Sequence, residues 1–112
     1  MAHIGNFTRT AEGYTGHLRT LTLDIELTLV PADHADAENA PDYRIHLGAD
    51  ATGPEVGAGW KRTGERAGDY VALLIDDPAL ALPLRANLFQ SDAKGKAFAL
   101  LWTRPAKRDD KR

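Results

Sequence analysis

The sequence contains no cysteine. This absence excludes disulfides, thiol nucleophiles and every zinc or iron–sulfur site that depends on thiolate ligands. The sequence also lacks any run of about eighteen consecutive apolar residues, the length that a membrane-spanning helix needs. Its first residues, "MAHIGNFTRTAEG", show neither a basic leader before an apolar segment nor a small-residue cleavage site. We therefore expect a soluble, cytoplasmic protein that does not associate with membranes.

Residues suited to catalysis are scarce. Ser91 is the only serine and stands in the polar segment "QSDAKG", without the pattern of a nucleophile elbow. Asp24 and Glu26 lie on one face of a predicted strand, but they are flanked by threonines, which is typical of a solvated surface. The acidic segment "DHADAE", residues 33–38, lacks the alternating oxygen ligands and the turn glycine of a calcium loop. We expect a non-enzymatic protein with no catalytic residues, no cofactor and no metal site.

The charge is distributed unevenly along the chain, although the formal net charge is only −2. Residues 1–54 contain three Lys and Arg against eight Asp and Glu, whereas residues 55–112 contain eleven against eight. So small a net charge argues against a protein whose whole surface binds nucleic acid. Any binding of an anion is expected in the second half of the chain.

The clearest hydrophobic periodicity lies between Arg19 and Val30. Five apolar residues alternate there with threonines and acids: Leu21, Leu23, Ile25, Leu27 and Leu29. Strict period two predicts a half-buried strand, because successive side chains point to opposite faces. Pro31 ends the alternation, and we expect one long strand that buries all five apolar side chains.

The rest of the chain consists of strand-length apolar runs separated by segments rich in glycine, proline and polar residues. The first two runs flank "TAEG", which predicts a hairpin whose turn gives Gly13 a positive φ angle. This pattern predicts an all-β domain of about seven antiparallel strands, forming a small barrel or a sandwich, with no substantial helix. The domain is expected over residues 1–104, and residues 105–112, "PAKRDDKR", are expected to form a disordered charged tail.

The segment Gly57–Tyr70, "GAGWKRTGERAGDY", has the glycine spacing of a phosphate-binding loop. Glu65 stands where such a loop needs lysine, however, and a strand-like run rather than a helix follows. We predict a β-hairpin instead, with Gly57 and Gly59 marking a bulge or a close approach of a neighbouring backbone. Simple alternation places Val56, Ala58 and Trp60 on one face and predicts that Trp60 belongs to the core.

The same hairpin combines basic and aromatic residues, as surfaces that bind single-stranded nucleic acid do. Basic residues also occur on hairpins merely to keep them soluble, and this alternative stays open. The residues predicted to bind nucleic acid lie in the basic second half of the chain: Lys61, Arg62, Arg66, Tyr70, Arg85 and Arg104.

Seven short motifs occur in order along the chain, and the match that they form covers about residues 2–105: "IGNFT", "GYTGHLRTLTLD", "NAPDYR", "GAGWKR", "DDP", "RANLF" and "WTRP". Together they resemble the bacterial proteins grouped as domain of unknown function 736. The resemblance implies no assigned activity and carries over no catalytic residue. It does imply a short proteobacterial protein, often encoded on plasmids and other mobile elements near conjugation or replication genes.

Two functional hypotheses follow from the sequence. The first is a non-enzymatic accessory protein of a mobile element that binds single-stranded nucleic acid, such as DNA, through the basic-aromatic hairpin. The second is a protein-interaction module that binds a foreign partner or forms a homodimer, with the strand at Arg19–Val30 pairing through an exposed edge.

Overall fold

The computed structural model describes residues 2–32, 40–66, 68–78, 80 and 82–103. These residues form eight β-strands and no helix. In chain order the strands are β1 (Ala2–Arg9), β2 (Tyr14–Arg19), β3 (Asp24–Pro31), β4 (Tyr43–Leu47), β5 (Glu55–Gly64), β6 (Gly68–Ile75), β7 (Leu84–Gln90) and β8 (Ala97–Trp102). The predicted all-β fold is confirmed, with eight strands where the sequence indicated about seven. Residues 104–112, including the predicted tail, lie outside the described residues.

The strands close into a barrel in which each strand pairs antiparallel with its neighbours in the chain, and β8 pairs with β1. This up-and-down topology decides between the two predicted architectures in favour of the barrel. Closure gives every described strand two hydrogen-bonded neighbours, so none of them presents the open edge that the homodimer hypothesis required. Among the described residues, no helix is long and apolar enough to cross a membrane.

The barrel interior is a continuous apolar core to which all eight strands contribute. Its side chains alternate with outward-facing residues along each strand, as a closed eight-stranded barrel requires. The most completely buried members are aliphatic: Leu18, Leu27, Leu29, Ile45, Ile75, Leu88 and Leu100. Tyr14, Tyr43 and Phe98 form an aromatic group within this core.

The predicted long strand from Arg19 to Val30 is wrong in its first part. β2 ends at Arg19 and β3 begins at Asp24, so the alternating sequence runs across a hairpin turn. The Thr20 side-chain oxygen accepts hydrogen bonds from the backbone N–H groups of Thr22 and Leu23 and holds this turn. Leu21 is therefore fully exposed rather than buried. Local hydrogen bonding by threonine offered the chain an alternative to a continuous strand.

The first hairpin forms as predicted, with β1 and β2 paired from Gly5 to Arg9. Gly13, however, is not among the glycines with positive φ, which are Gly48, Gly68 and Gly95. A β-carbon at Gly13 would instead collide with the Leu29 carbonyl oxygen. The position requires glycine because a neighbouring backbone comes close, not because of the turn conformation.

A β-bulge lies where β4 pairs with β5. Ile45 pairs with Gly57, but His46 pairs with Glu55, so Val56 is an extra residue on β5. Val56 is buried, and Gly57 stands opposite the buried Ile45 and Ile75. The bulge that Gly57 and Gly59 suggested is confirmed, and it reverses the alternation of every later residue on β5.

Candidate nucleic-acid interface

The predicted hairpin is present and is the longest strand pair of the barrel. β5 and β6 pair continuously from Gly57 with Ile75 to Gly64 with Gly68. Gly68 adopts a φ of 71° at the end of the connecting turn, a conformation that favours glycine. The hairpin that we predicted instead of a phosphate loop is confirmed by this geometry, since β6 and not a helix follows the turn.

Trp60 lies on the outside of the barrel, so its predicted place in the core is wrong. Gly59 is the inward-facing residue, because it pairs with the buried Tyr43 and Leu73. Trp60 pairs with Ala72, which also faces outward, and its side chain is half-buried. The bulge at Val56 causes this reversal, and no pattern within β5 alone reveals it.

The outward-facing residues of β5 to β8 form a continuous surface, which we call the outer face. Cross-strand pairing places Trp60, Ala72, Asn87 and Leu101 in one row across four strands. Most of its members are half-buried apolar or aromatic residues, and its two arginines are exposed. The outer face comprises Ala58, Trp60, Arg62, Tyr70, Ala72, Leu74, Arg85, Asn87, Phe89, Ala99 and Leu101.

Two aromatic rings contact each other on the outer face. The ring centroids of Tyr70 and Phe89 are 5.2 Å apart, with an angle of 31° between the planes. Beside them, a shallow groove of about 570 Å³ is lined by Trp60, Arg62 and Arg85 together with alanine, leucine and polar residues between these side chains. The face thus combines two adjoining aromatic rings with cations at both ends of the groove. Such a surface can stack planar bases and contact phosphates.

The structure brings together only part of the predicted binding set. Arg62, Tyr70 and Arg85 lie on the outer face. Arg66 is exposed on the turn between β5 and β6. Lys61 pairs with the buried Val71 and lies on the inner side of β5, at the open end of the barrel. Arg104 lies outside the described residues.

Lys61 belongs to a second feature, which we call the barrel mouth. Its Nζ lies 5.7 Å from the centre of the Tyr43 ring, and the Arg9 guanidinium lies 6.0 Å from the centre of the Tyr14 ring. Tyr14 in turn packs edge-on against Tyr43, with 5.6 Å between the ring centres. These residues line a cavity of about 380 Å³. Its floor is aromatic and its rim is polar.

The hydroxyl of Tyr14 stays protonated over a wider pH range than that of a free tyrosine. Burial raises the pKa of Tyr14 above 10.0, and the neighbouring Tyr43 raises the pKa further. Arg9 and Lys61 oppose this shift because their positive charges favour the phenolate. Tyr14 is therefore a neutral hydrogen-bond donor at physiological pH.

The other candidate groups considered in the sequence do not assemble into a site. Asp24 and Glu26 are exposed on the outside of β3, and Asp24 lies 3.6 Å from the exposed His17. Within the described ranges, no group of three His, Asp or Glu side chains is placed to hold a metal ion. The acidic segment 33–38 lies outside the described residues.

Sequence reasoning missed four residues that matter to these two features. Phe89 lies at an outward position of β7, beside Tyr70. Tyr43 comes from β4, the neighbour of β5, whereas Arg9 and Tyr14 come from β1 and β2 and meet the β5 residues only in the closed barrel. Arg9, Tyr14 and Tyr43 have one feature in common that the sequence shows, which is an aromatic or basic side chain at the end of a strand.

The motifs that run along the chain agree with a family model that matches residues 3–105, described as protein of unknown function (DUF736). The chain belongs to this family. A search of the curated proteins found no match, and neither did a search of the solved structures. Family membership covers the whole barrel, including the outer face and the barrel mouth, but assigns no activity to either feature.

Proposed function

We propose that this DUF736 protein binds single-stranded nucleic acid through the outer face. The observation that carries the proposal is the pairing of the Tyr70 and Phe89 rings next to a groove bounded by Arg62 and Arg85. Stacking on aromatic rings contributes about 1–3 kcal/mol per base and tolerates any sequence. Cations at both ends of the groove would hold the phosphates on either side of the stacked bases.

Geometry and charge support this surface over the opposite side of the barrel. The outer face centres on β6 and β7, and the strand opposite β6 in the closed order is β2. The outward residues of β2 and β3 include the acids Asp24 and Glu26, which would repel phosphates. The small net charge of the whole chain, −2, is thus compatible with one face that attracts polyanions.

The same proposal places the protein as a non-enzymatic, cytoplasmic accessory of a plasmid or other mobile element. Single-stranded DNA is an intermediate of conjugation and of some forms of replication, so a protein encoded beside those genes would encounter it. The family resemblance and the basic-aromatic face both favour this role.

Fluorescence anisotropy with a labelled single-stranded oligonucleotide tests the proposal. We expect binding at low salt that weakens as salt is added, because counterions are released from the phosphates. Phe89→Leu removes one of the two adjoining rings without adding charge and should weaken binding by about tenfold. Leu21→Ala, which shortens an exposed apolar side chain on the β2–β3 turn outside the outer face, is the matched control. No binding at tens of micromolar protein, about the upper range of non-specific affinities, would refute the proposal.

A second candidate function is self-association through the same face. Ala58, Ala72 and Ala99 lie between the larger apolar residues and leave room for side chains of a second copy. This arrangement replaces the edge-paired homodimer, which the closed barrel does not favour. Light scattering over a range of concentrations tests it. A dimer that Trp60→Arg dissociates would support this function, whereas a monomer at all concentrations would exclude it.

A further inference from the structure

The barrel mouth adjoins the outer face, since Arg62 and Tyr70 also line its cavity, but its character is different. Its cavity of about 380 Å³ falls within the range of small-molecule sites, roughly 300–1,000 Å³. The buried side chains of Tyr14, Tyr43, Val71 and Phe98 form the floor. Eight-stranded barrels are wide enough to hold one small ligand where side chains do not fill the end.

Two cations converge above this floor. Lys61 and Arg9 lie over the rings of Tyr43 and Tyr14, which themselves contact each other edge to face. Among the described residues, no carboxylate lies within 4.0 Å of either cation. Asp69, the one acid on the cavity wall, instead accepts a hydrogen bond from the Thr63 hydroxyl at 2.9 Å. The positive charge at the mouth is therefore not neutralised by a described ion pair.

The rim also supplies neutral hydrogen-bond donors. The Gln90 amide lines the same cavity as Lys61, whereas the one proton of the Thr63 hydroxyl is already donated to Asp69. The Tyr14 hydroxyl remains protonated, as its raised pKa implies. An anionic group at the rim would meet charged and neutral donors together, and charge-assisted hydrogen bonds are the stronger kind.

We propose that the barrel mouth binds a small organic anion, with its carboxylate or phosphate between Lys61 and Arg9 and its apolar body on the floor formed by Tyr14, Tyr43 and Phe98. The charge at the rim selects the anion, and the apolar floor selects against inorganic anions. The site adjoins the outer face at Arg62 and Tyr70, but neither Lys61 nor Arg9 belongs to that face.

Four probes separate the contribution of the anionic group from that of the aromatic ring. Phenyl phosphate and benzoate carry both a ring and an anionic group, phenol carries only the ring, and inorganic phosphate carries only the charge. Titrations followed by amide chemical shifts in uniformly ¹⁵N-labelled protein give the dissociation constants. We expect phenyl phosphate or benzoate to bind at about 1 mM and at least about tenfold more tightly than phenol or phosphate. The preferred anion shows whether phosphates or carboxylates are the natural class.

Lys61→Met and Arg9→Met keep an unbranched apolar stem and remove the charge. Each should weaken binding of the preferred probe by about tenfold. Lys94→Met, which removes a cation from the exposed β7–β8 loop at the same end of the barrel, should leave binding unchanged. Equal loss in all three variants, or tight binding of phosphate alone, would show an adventitious ion only and overturn the proposal.

The outcome is distinguishable from that of the nucleic-acid experiment. Arg85→Gln lies on the outer face and should weaken oligonucleotide binding while leaving phenyl phosphate binding intact. Lys61→Met should do the reverse. If Lys61→Met abolished both kinds of binding while a unique folded spectrum persisted, the separate site in the barrel mouth would be refuted.

Discussion

The salt dependence of oligonucleotide binding gives the sharpest test of the outer face. Arg62 and Arg85 bound its groove, and Arg66 is exposed on the turn that extends from it. Each phosphate neutralised on a single strand contributes about −0.7 to the slope of log K against log salt concentration. Three such contacts predict a slope of about −2.1, so affinity should fall roughly twentyfold between about 50 and 200 mM salt.

The perturbation is the double variant Arg62→Gln/Arg85→Gln. Loss of two phosphate contacts should make the slope shallower by about 1.4, and each single variant should account for about half of this change. The control is Arg19→Gln on β2, the side of the barrel opposite β6, which removes one charge from a position outside the outer face.

The assay is fluorescence anisotropy with one labelled single strand at five or more salt concentrations. The reasoning is refuted if Arg19→Gln changes the slope as much as Arg62→Gln or Arg85→Gln does, since the effect would then follow net charge alone. It is also refuted if the double variant retains the wild-type slope, because the arginines would then make no phosphate contact.

Three further predictions concern the fold. Gly57→Ala and Gly57→Asn should both destabilise the protein by on the order of 2–3 kcal/mol in urea unfolding, because any β-carbon there collides with the Leu74 carbonyl oxygen. Gly68→Ala should lower the free energy of unfolding by about 1 kcal/mol. Gly68→Asn should recover most of that loss, because the constraint at Gly68 is its positive φ angle, which asparagine tolerates. Equal tolerance of asparagine at both positions would contradict this distinction. Leu27→Ala should lower the free energy of unfolding by about 2–5 kcal/mol, because Leu27 is fully buried. Leu21→Thr should change it by less than about 0.5 kcal/mol, because Leu21 is fully exposed. A large effect at Leu21 would mean that β3 begins earlier than Asp24. The raised pKa of Tyr14 means that its contribution to stability is fully present below pH 10.0 and is lost as the pH rises through the folded-state pKa. Above pH 10.0, the free energy of unfolding should therefore fall less steeply in Tyr14→Phe than in the wild type. An equally steep fall in both proteins would show that other groups cause the loss of stability.

Much of the fold could be predicted from local sequence. Period-two alternation, turn residues and the scarcity of helix patterns identified the strands, because side chains of a strand half-buried on one face must alternate. The β5–β6 hairpin followed from the glycines near its turn and from Glu65, whose charge is incompatible with a phosphate loop. The seven ordered motifs also identified the family that the comparison then matched over residues 3–105.

The remaining features depended on hydrogen bonding and strand pairing that the hydrophobic pattern does not show. The alternation from Arg19 to Val30 looks the same whether or not a turn interrupts it, and only the hydrogen bonds of Thr20 place Leu21 outside the core. The direction of Trp60 depended on one extra residue, Val56, in the pairing of β5 with β4. A shift of one residue exchanges the two faces of a strand, so no local pattern could decide it.

The sequence by itself determined that this protein is an all-β domain with a basic-aromatic hairpin, because composition, alternation and turn chemistry are local properties. Tertiary structure alone decided which basic and aromatic residues lie on the outer face and which lie at the barrel mouth. The bulge at Val56 set Arg62 on the outer face with Tyr70, Arg85 and Phe89, and turned Lys61 inward. The closed barrel then placed Lys61 beside Arg9, Tyr14 and Tyr43. Residues far apart in the chain became neighbours because each strand must pair on both sides, and that pairing fixes which face every residue occupies.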